Sequence, residues 1–124
     1  MRIKGLLVSG ALAMSALAAP MTAEASLSEC GTNYMCVWGN NNYVWLLTAQ
    51  VHGQSNWMDT FNDGKGENNQ NDSWANRSVT YTGCISDYVD GGGKRMQLSP
   101  GSSDGDLAWF NSNFADAIRT QGGC

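Results

Sequence analysis

Histidine is scarce in this sequence, and its scarcity limits the catalytic chemistry available to the chain. The 124 residues include a single histidine, His52, in the run TAQVHGQSNW. A Gly-x-Ser-x-Gly nucleophile elbow and a His-Glu-x-x-His pair, the usual short signatures of hydrolytic serine and zinc sites, are both absent. A surface or packing role is favoured for the lone imidazole. We therefore predict a protein that is not an enzyme and that requires no cofactor.

Positive charge is also in short supply. Seven Lys and Arg stand against eleven Asp and Glu, and the five basic residues beyond position 25 are scattered among carboxylates. Binding to phosphate groups requires a basic stripe or patch. The composition argues against nucleic acid as a partner, and it argues equally against binding to an anionic membrane surface.

Long apolar runs are missing after the first 25 residues. The initial run GLLVSGALAMSALAA is interrupted by serine and glycine and is shorter than the roughly 18–20 residues that a bilayer span needs. Arg2 and Lys4 precede it, and the small-x-small sequence AEA at 23–25 follows it, which is the pattern of a secretory signal peptide. We predict a signal peptide at 1–25 and a secreted, extracellular, monomeric domain at 26–124.

Helical periodicity is lacking as well. The apolar runs MCVW, YVWLLTAQV, SVTYTGCISDY, KRMQL and DAIRT are short or alternating, which is typical of β-strands. They are separated by turn-forming clusters such as NNN at 40–42, NDGKG at 62–66, DGGGK at 90–94 and SPGSSDGD at 99–106. The pattern predicts an all-β fold, a small sandwich of two sheets that hide their inner faces against each other.

The four cysteines contain no Cys-x-x-Cys pair, which makes a structural zinc site a weak interpretation. An even number of cysteines behind a signal peptide indicates two disulfides instead. Three pairings are possible. Cys30 and Cys36 are close enough for a small local ring, which is the easiest closure, and this choice leaves Cys84 to pair with Cys124.

The two halves of the chain share short features. CVW at 36–38 opens one half and CIS at 84–86 opens the other, and Asn-led segments close them, NNQNDSWANRS from 68 and NSNFADAIRT from 111. With the signal peptide and the GGKRMQLSPGSS hairpin, these motifs resemble the secreted actinobacterial peptidase-inhibitor family typified by the Streptomyces metalloproteinase inhibitor, over nearly all of residues 30–119. The resemblance implies a βγ-crystallin-like fold of two Greek keys, at about 30–82 and 83–124.

The same resemblance implies a function. It predicts a secreted inhibitor of an extracellular peptidase, with metallopeptidases as the favoured target class. A calcium-binding or killer-toxin-like βγ-crystallin module is the alternative. Activity varies more readily than fold within such families, so the fold is the firmer of the two expectations.

Two cysteine-tethered segments are candidates for contact with a peptidase, because an inhibitor needs a segment held rigid before binding. The ring CGTNYMC would direct Tyr34 and Met35 outward. Cys84 and Ile85 place a bulky apolar residue directly after a tethered cysteine, and thermolysin-like enzymes favour such a side chain just after the scissile bond. Ile85 could equally be an inward-facing strand residue.

The segment NNQNDS at 68–73 resembles the calcium-binding segment of some proteins with the βγ-crystallin fold, Asn/Asp-Asn/Asp-x-x-Ser/Thr-Ser, except for Asp at the fifth place. Calcium prefers six to eight hard oxygen ligands. The implied ligands are Asn68, Asn69, Asp72 and Ser73, with Asp116 as a helper from the partner segment at 111–116. A polar turn without an ion is the alternative, because these side chains also bond to their own backbone.

Five tryptophans suggest one further candidate function, a carbohydrate or cell-wall binding module. Trp45 and Trp57 are the two expected on the outside. Trp45 replaces a hairpin glycine of the βγ-crystallin pattern, and Trp57 lies in the polar run GQSNWMD. In the second key Gly91 stands where the pattern has an aromatic residue. Most aromatic residues in alternating strands belong to the core.

Overall fold

The structure, a computed structural model, describes residues 27–61 and 69–124, and the predicted signal peptide at 1–25 lies outside these ranges. The main elements are β1 (Tyr34–Asn40), β2 (Val44–Val51), β3 (Ser73–Asn76), β4 (Gly83–Ser86), β5 (Arg95–Leu98), β6 (Ser103–Asp104), a 3-10 turn (Trp109–Asn111) and β7 (Ala117–Arg119). They form two antiparallel sheets, ordered β2-β1-β3-β6 and β5-β4-β7. The predicted all-β, two-sheet sandwich is confirmed.

The central strand of the larger sheet is covered on both faces. Side chains alternate along a strand, so Met35 and Val37 of β1 join the core cluster between the sheets, whereas Cys36 and Trp38 join a second cluster. The five inner residues of β1 are buried as a result. The main core also contains Phe61, Trp74, Ile85, Leu98, Leu107, Phe114, Ala115 and Ile118.

Each sheet takes a segment from the other half of the chain. β6 pairs with β3 at the edge of the larger sheet, where Trp74 lies opposite Asp104. In the smaller sheet Met58 forms a bridge with Ile118 of β7. The two exchanges are related by an approximate twofold repeat, which agrees with the Greek-key pattern of the predicted fold.

β3 and β6 lie where the sequence pattern predicts connections rather than strands. β3 is buried at all four positions although its outer residues are polar. Ser73 Oγ donates to Asn40 O at 2.9 Å, and Asn76 Nδ2 donates to Tyr81 O at 3.0 Å and to Leu98 O at 2.9 Å. Because these internal hydrogen bonds satisfy the polar groups, the segment can occupy the interior without apolar patterning.

Both predicted disulfides are present. Cys30 pairs with Cys36 across a Cα–Cα distance of 5.8 Å, and Cys84 pairs with Cys124 across 5.2 Å. The described residues include no free cysteine. The first bridge links the segment before β1 to β1, and the second links residue 124 to β4, the middle strand of the smaller sheet.

Two tryptophan rings lie directly against glycines. A Cβ on Gly39 would collide with the ring of Trp45, and a Cβ on Gly91 would collide with the indole of Trp57. Trp45 has φ 70° and stays 43% exposed, whereas Trp57 is half-buried. A glycine of each hairpin thus lies under a tryptophan ring: Trp45 belongs to β2 of the same hairpin, whereas Trp57 comes from the connection between β2 and β3. Neither tryptophan occupies the position that the βγ-crystallin pattern gives to its aromatic residue.

Candidate binding surface

The structure buries three of the four residues that the sequence offers as peptidase contacts. Cys84, Ile85 and Met35 have no exposed surface, and Tyr34 is 40% exposed. Cys84 and Ile85 belong to β4, which lies between β5 and β7 and whose two faces are both covered. Contact through these side chains would require opening the core. The inward-facing alternative for Ile85 therefore matches its position, and the proposed reactive bond at 84–85 is inaccessible in this fold.

The small disulfide ring also differs from its predicted shape. Met35 and Cys36 are residues of β1 rather than tips of a convex loop, and strand alternation directs Met35 into the core. Tyr34 remains available at the first position of β1. Of the predicted contacts, it alone can meet a partner without rearrangement.

Two of the predicted calcium ligands meet. With its amide nitrogen facing acceptors, Asn69 donates to Asp116 Oδ1 at 3.0 Å. The contact arises because the Asn-led segments cross, with Asn69 N–H donating to Ala115 O at 2.9 Å. Asn68 lies outside the described residues. The predicted cooperation between the two halves of the chain therefore has a structural basis in this one pair.

The hydroxyl of Ser73 is engaged elsewhere, and Asp72 lies near a second carboxylate. Ser73 Oγ donates to Asn40 O at 2.9 Å and accepts from Tyr43 N at 3.2 Å, so the hydroxyl serves the neighbouring hairpin. Burial raises the pKa of the Asp72 carboxyl above its usual value, and the nearby Asp106 carboxylate raises it further. Across residues 27–61 and 69–124, no group of three or more His, Cys, Asp or Glu side chains could hold a metal ion. The contact between Asn69 and Asp116 supplies only part of the six to eight oxygen ligands that calcium prefers.

Two adjacent aromatic residues that are not among the predicted contacts are largely exposed. Trp109 is 85% exposed and Phe110 is 54% exposed. Their rings meet edge to face, with centroids 5.9 Å apart and planes at 89°. Both belong to the 3-10 turn, which has no buried residue of its own. Two adjacent aromatics in a stretch without strand alternation are the signal that could have revealed the pair.

One buried asparagine holds the 3-10 turn Trp109–Asn111, called the aromatic turn below, from the interior of the protein. Asn71 is fully buried, and its Nδ2 donates to Asn111 O at 3.0 Å. Its Oδ1 accepts from Phe114 N at 2.7 Å and from Ala115 N at 2.8 Å. On the other side of the turn, Leu107 N donates to the backbone oxygen of residue 72 at 3.0 Å. Both ends of the aromatic turn are therefore attached to the segment that leads into β3.

Tyr34 and the aromatic turn lie at opposite ends of the sandwich. Tyr34 begins β1, and its carbonyl accepts from Arg77 N. The aromatic turn follows β6, which runs parallel to β1 and leads to the end where Asn40 closes that strand. The seven-residue length of β1 separates the two ends by roughly 20 Å. One small pocket on a partner cannot engage both.

Fold and site together define a class: a small β-sandwich, tied by two disulfides, that presents an aromatic turn. One solved structure, described as "Evolution of the eye lens beta-gamma-crystallin domain fold", is similar to it. The identity is 18%, the match covers 74% of this chain and 90% of that chain, and the TM-score is 0.55. The chain therefore has a βγ-crystallin domain fold, as the resemblance predicted.

No family model matches the sequence, and no curated protein matches it. At 18% identity, the structural likeness carries the fold and no activity. The peptidase-inhibitor assignment stays a prediction.

Proposed function

We propose that the protein is a secreted peptidase inhibitor, with extracellular metallopeptidases as its target class, and that its role is binding rather than catalysis. The observation that carries the proposal is the exposed pair Trp109 and Phe110 on a turn held in place by the buried Asn71. Large aromatic side chains in fixed positions are the usual anchors of protein interfaces. Thermolysin-like enzymes have a pocket for such a side chain beside the catalytic metal.

Rigidity supports the same proposal. A segment that is already ordered loses little conformational entropy when it binds, so more of its contact energy appears as affinity. Here one buried side chain and the backbone of the neighbouring segment hold the aromatic turn from both sides. Two disulfides tie down the remainder of the domain.

Secretion is part of this proposal. Disulfides persist in oxidising compartments, and both bridges are formed. In the part of the chain that the structure describes, no helix is long and apolar enough to cross a membrane. The charged, basic-then-apolar start of the sequence adds the pattern of a signal peptide.

A carbohydrate-binding module is the second candidate, because Trp45 and Trp109 are both exposed. Sugar rings stack on flat aromatic faces, and several coplanar faces make a platform. The 89° angle between Trp109 and Phe110 gives a wedge rather than a platform. The pair is therefore better suited to a pocket than to a polysaccharide chain.

A panel assay tests the proposed function. The purified chain from residue 26 onward is titrated against thermolysin-like, serine and cysteine peptidases, and its sedimentation with insoluble polysaccharides is measured in parallel. We expect inhibition of at least one thermolysin-like enzyme and no co-sedimentation. Co-sedimentation without inhibition of any peptidase would instead support the carbohydrate module.

A further inference from the structure

We propose that the aromatic turn Trp109–Asn111 blocks its target as an uncleaved wedge, with the Trp109 and Phe110 rings seated in an apolar pocket of the peptidase active site. The inference rests on the proposed function and adds the contact residues and the mode of inhibition. It differs from a substrate-like mechanism, in which an extended segment enters the cleft and one of its peptide bonds is presented for hydrolysis.

The backbone of the aromatic turn is folded back on itself. Asn111 N donates to Ala108 O at 2.8 Å, which closes the 3-10 turn. The backbone is extended only outside it, with φ −59° and ψ 149° at Ala108 and φ −101° and ψ 160° at Ser112. The peptide bond between Trp109 and Phe110 thus lies inside a closed turn and not in a strand that could line a cleft.

The carbonyl of that bond is already engaged. Trp109 O accepts from Ser112 Oγ at 3.1 Å and from Ser112 N at 3.5 Å. Hydrolysis requires an electrophile, a metal ion or an oxyanion hole, to take over this oxygen in the transition state. Ser112 and the turn geometry compete with that step, so the bond resists attack while the side chains remain available.

The side chains, in contrast, are presented outward. Trp109 and Phe110 carry little of the protein's own packing, because they are 85% and 54% exposed. Their rings are perpendicular and form a compact projection, so each ring could pack against a different wall of a concave pocket. The pair therefore resembles an interface anchor that has no structural duty in the free protein.

The first test measures inhibition by variants at the two ends of the sandwich. Trp109→Ala and Phe110→Ala are each expected to raise the inhibition constant by at least about 30-fold, as an interface anchor does. Tyr34→Ala and Val79→Ala lie at the opposite end, where Val79 matches Trp109 in exposure at 85%, and are expected to change it less than about threefold. Circular dichroism checks that all four variants keep the fold.

The second test follows the fate of the inhibitor. After long incubation with the inhibited enzyme, the wild-type chain is expected to be recovered intact by mass spectrometry, with inhibition undiminished. Ser112→Ala removes the hydroxyl bond to Trp109 O, and it is expected to produce slow cleavage between residues 109 and 110. Wild-type chain recovered with a cut at 109–110 would establish a substrate-like mechanism and overturn the wedge.

A third measurement locates the pocket. Binding of the chain and of a small active-site-directed inhibitor of the same peptidase is expected to be mutually exclusive; simultaneous binding overturns the proposal by placing the contact outside the active site. Inhibition that Trp109→Ala and Phe110→Ala leave unchanged would reject the wedge and keep the proposed function. If the wild-type chain inhibits no peptidase in the panel, the proposed function fails and the wedge fails with it.

Discussion

Two connecting segments, residues 69–76 and 113–120, occupy equivalent places in the two halves of the molecule. Asn69 and Asn113 both adopt positive φ, 63° and 59°. Asn69 N donates to Ala115 O at 2.9 Å, and Asn113 N donates to Asn71 O at 2.8 Å, so the segments run past each other in antiparallel fashion. Under this repeat, Asn71 of the first segment is the counterpart of Ala115 in the second.

These counterparts differ in the hydrogen bonds that their side chains make. Both are buried. The Asn71 side chain reaches two backbone groups of the other segment, the N–H groups of Phe114 and Ala115, and the carbonyl of Asn111 just before it. The Ala115 side chain has no polar group and makes no such bonds. The segment 69–76 therefore holds the segment 113–120 through a side chain, and the reverse does not occur at residue 115. The three hydrogen bonds of the Asn71 side chain are called the clamp below. Asn71 thus makes the two halves of the fold unequal, and together with the backbone bond from Leu107 to residue 72 it holds the aromatic turn on one side of the molecule.

Removing the clamp should have the largest effect. Asn71→Ala leaves the buried N–H groups of Phe114 and Ala115 without their acceptor, which is expected to lower the free energy of unfolding by about 2–4 kcal/mol. Denaturant unfolding measures the loss. Asn111→Ala is the matched control, since only the backbone of Asn111 takes part in the clamp. Equal, small losses in the two variants would show that the clamp has little energetic weight.

The first residues of β3 and β7 also differ in polarity. Ser73 of β3 and Ala117 of β7 are equivalent, because they pair with Trp38 of β1 and Ser86 of β4. Ser73→Ala makes the first segment like the second, but it removes the hydroxyl that bonds to the backbone of residues 40 and 43. We expect a loss of about 1–2 kcal/mol in the free energy of unfolding.

The control for that variant is Ser103→Ala, at an exposed position of β6. Its free energy of unfolding should stay within about 0.5 kcal/mol of the parent value. A Ser73→Ala protein as stable as this control would mean that water replaces the buried hydroxyl at no cost.

Asp72 allows a smaller, pH-dependent test of the first segment. Because burial and Asp106 raise the pKa of Asp72, the folded state binds this proton more tightly than the unfolded chain does. The free energy of unfolding therefore falls as pH rises from the usual value of 3.8 through the raised folded-state pKa. Asp72→Asn removes this loss, so its Tm should exceed that of the parent at pH 7 and match it well below pH 3.8.

The exposed Asp104→Asn provides the comparison for that melting series. A Tm difference between Asp72→Asn and the parent that stays constant from acid to neutral pH would point to packing rather than to titration. A Tm of Asp72→Asn below that of the parent at pH 7 would contradict the expected stabilisation.

Calcium should have the smallest effect. The crossing of the segments brings Asn69 and Asp116 together, but the Ser73 hydroxyl is engaged by the backbone of residues 40 and 43, and Asp72 lies near the Asp106 carboxylate. We expect melts with calcium and with chelator to differ by less than about 0.4 kcal/mol, the stabilisation at a ligand concentration equal to its Kd. A gain of about 2.7 kcal/mol, the value at a hundredfold excess over the Kd, would show that the segments rearrange to form a site.

The strands β1, β2, β4, β5 and β7 could be predicted from the sequence, because each lies in an apolar or alternating run. The burial of β2 could not, since its one buried residue is Thr48 while Val44 and Val51 at its ends are exposed. β3 could not, since Ser73 and Asn76 become buried only through partners elsewhere in the fold. The sequence motifs align residue 68 of the first half with residue 111 of the second, an offset of 43 residues. In the structure Asn69 is equivalent to Asn113, an offset of 44, so the alignment by sequence is wrong by one position.

The candidate site was harder to predict than the fold. Disulfide tethering suggested that Cys84 and Ile85 are exposed. A disulfide does not determine which face of a strand is exposed to solvent, however, and β4 is the central strand of its sheet, where both residues are buried. The exposure of Trp109 depends on a turn fixed by Asn71, which lies 40 residues from its partner Asn111 in sequence. No local pattern contains that information, because the clamp exists only once the chain has folded.

The exchange of segments between the sheets makes the two halves of the chain mutually dependent. The first half lacks the edge that β6 supplies, and the second lacks the bridge that Met58 supplies. Each disulfide nevertheless closes within its own half. A chain severed between residues 82 and 83 therefore yields two fragments with no covalent link. Each should be unstructured alone, and mixing them at equal concentration should restore the circular dichroism spectrum of the intact protein, as in a heterodimer whose assembly and folding are a single event.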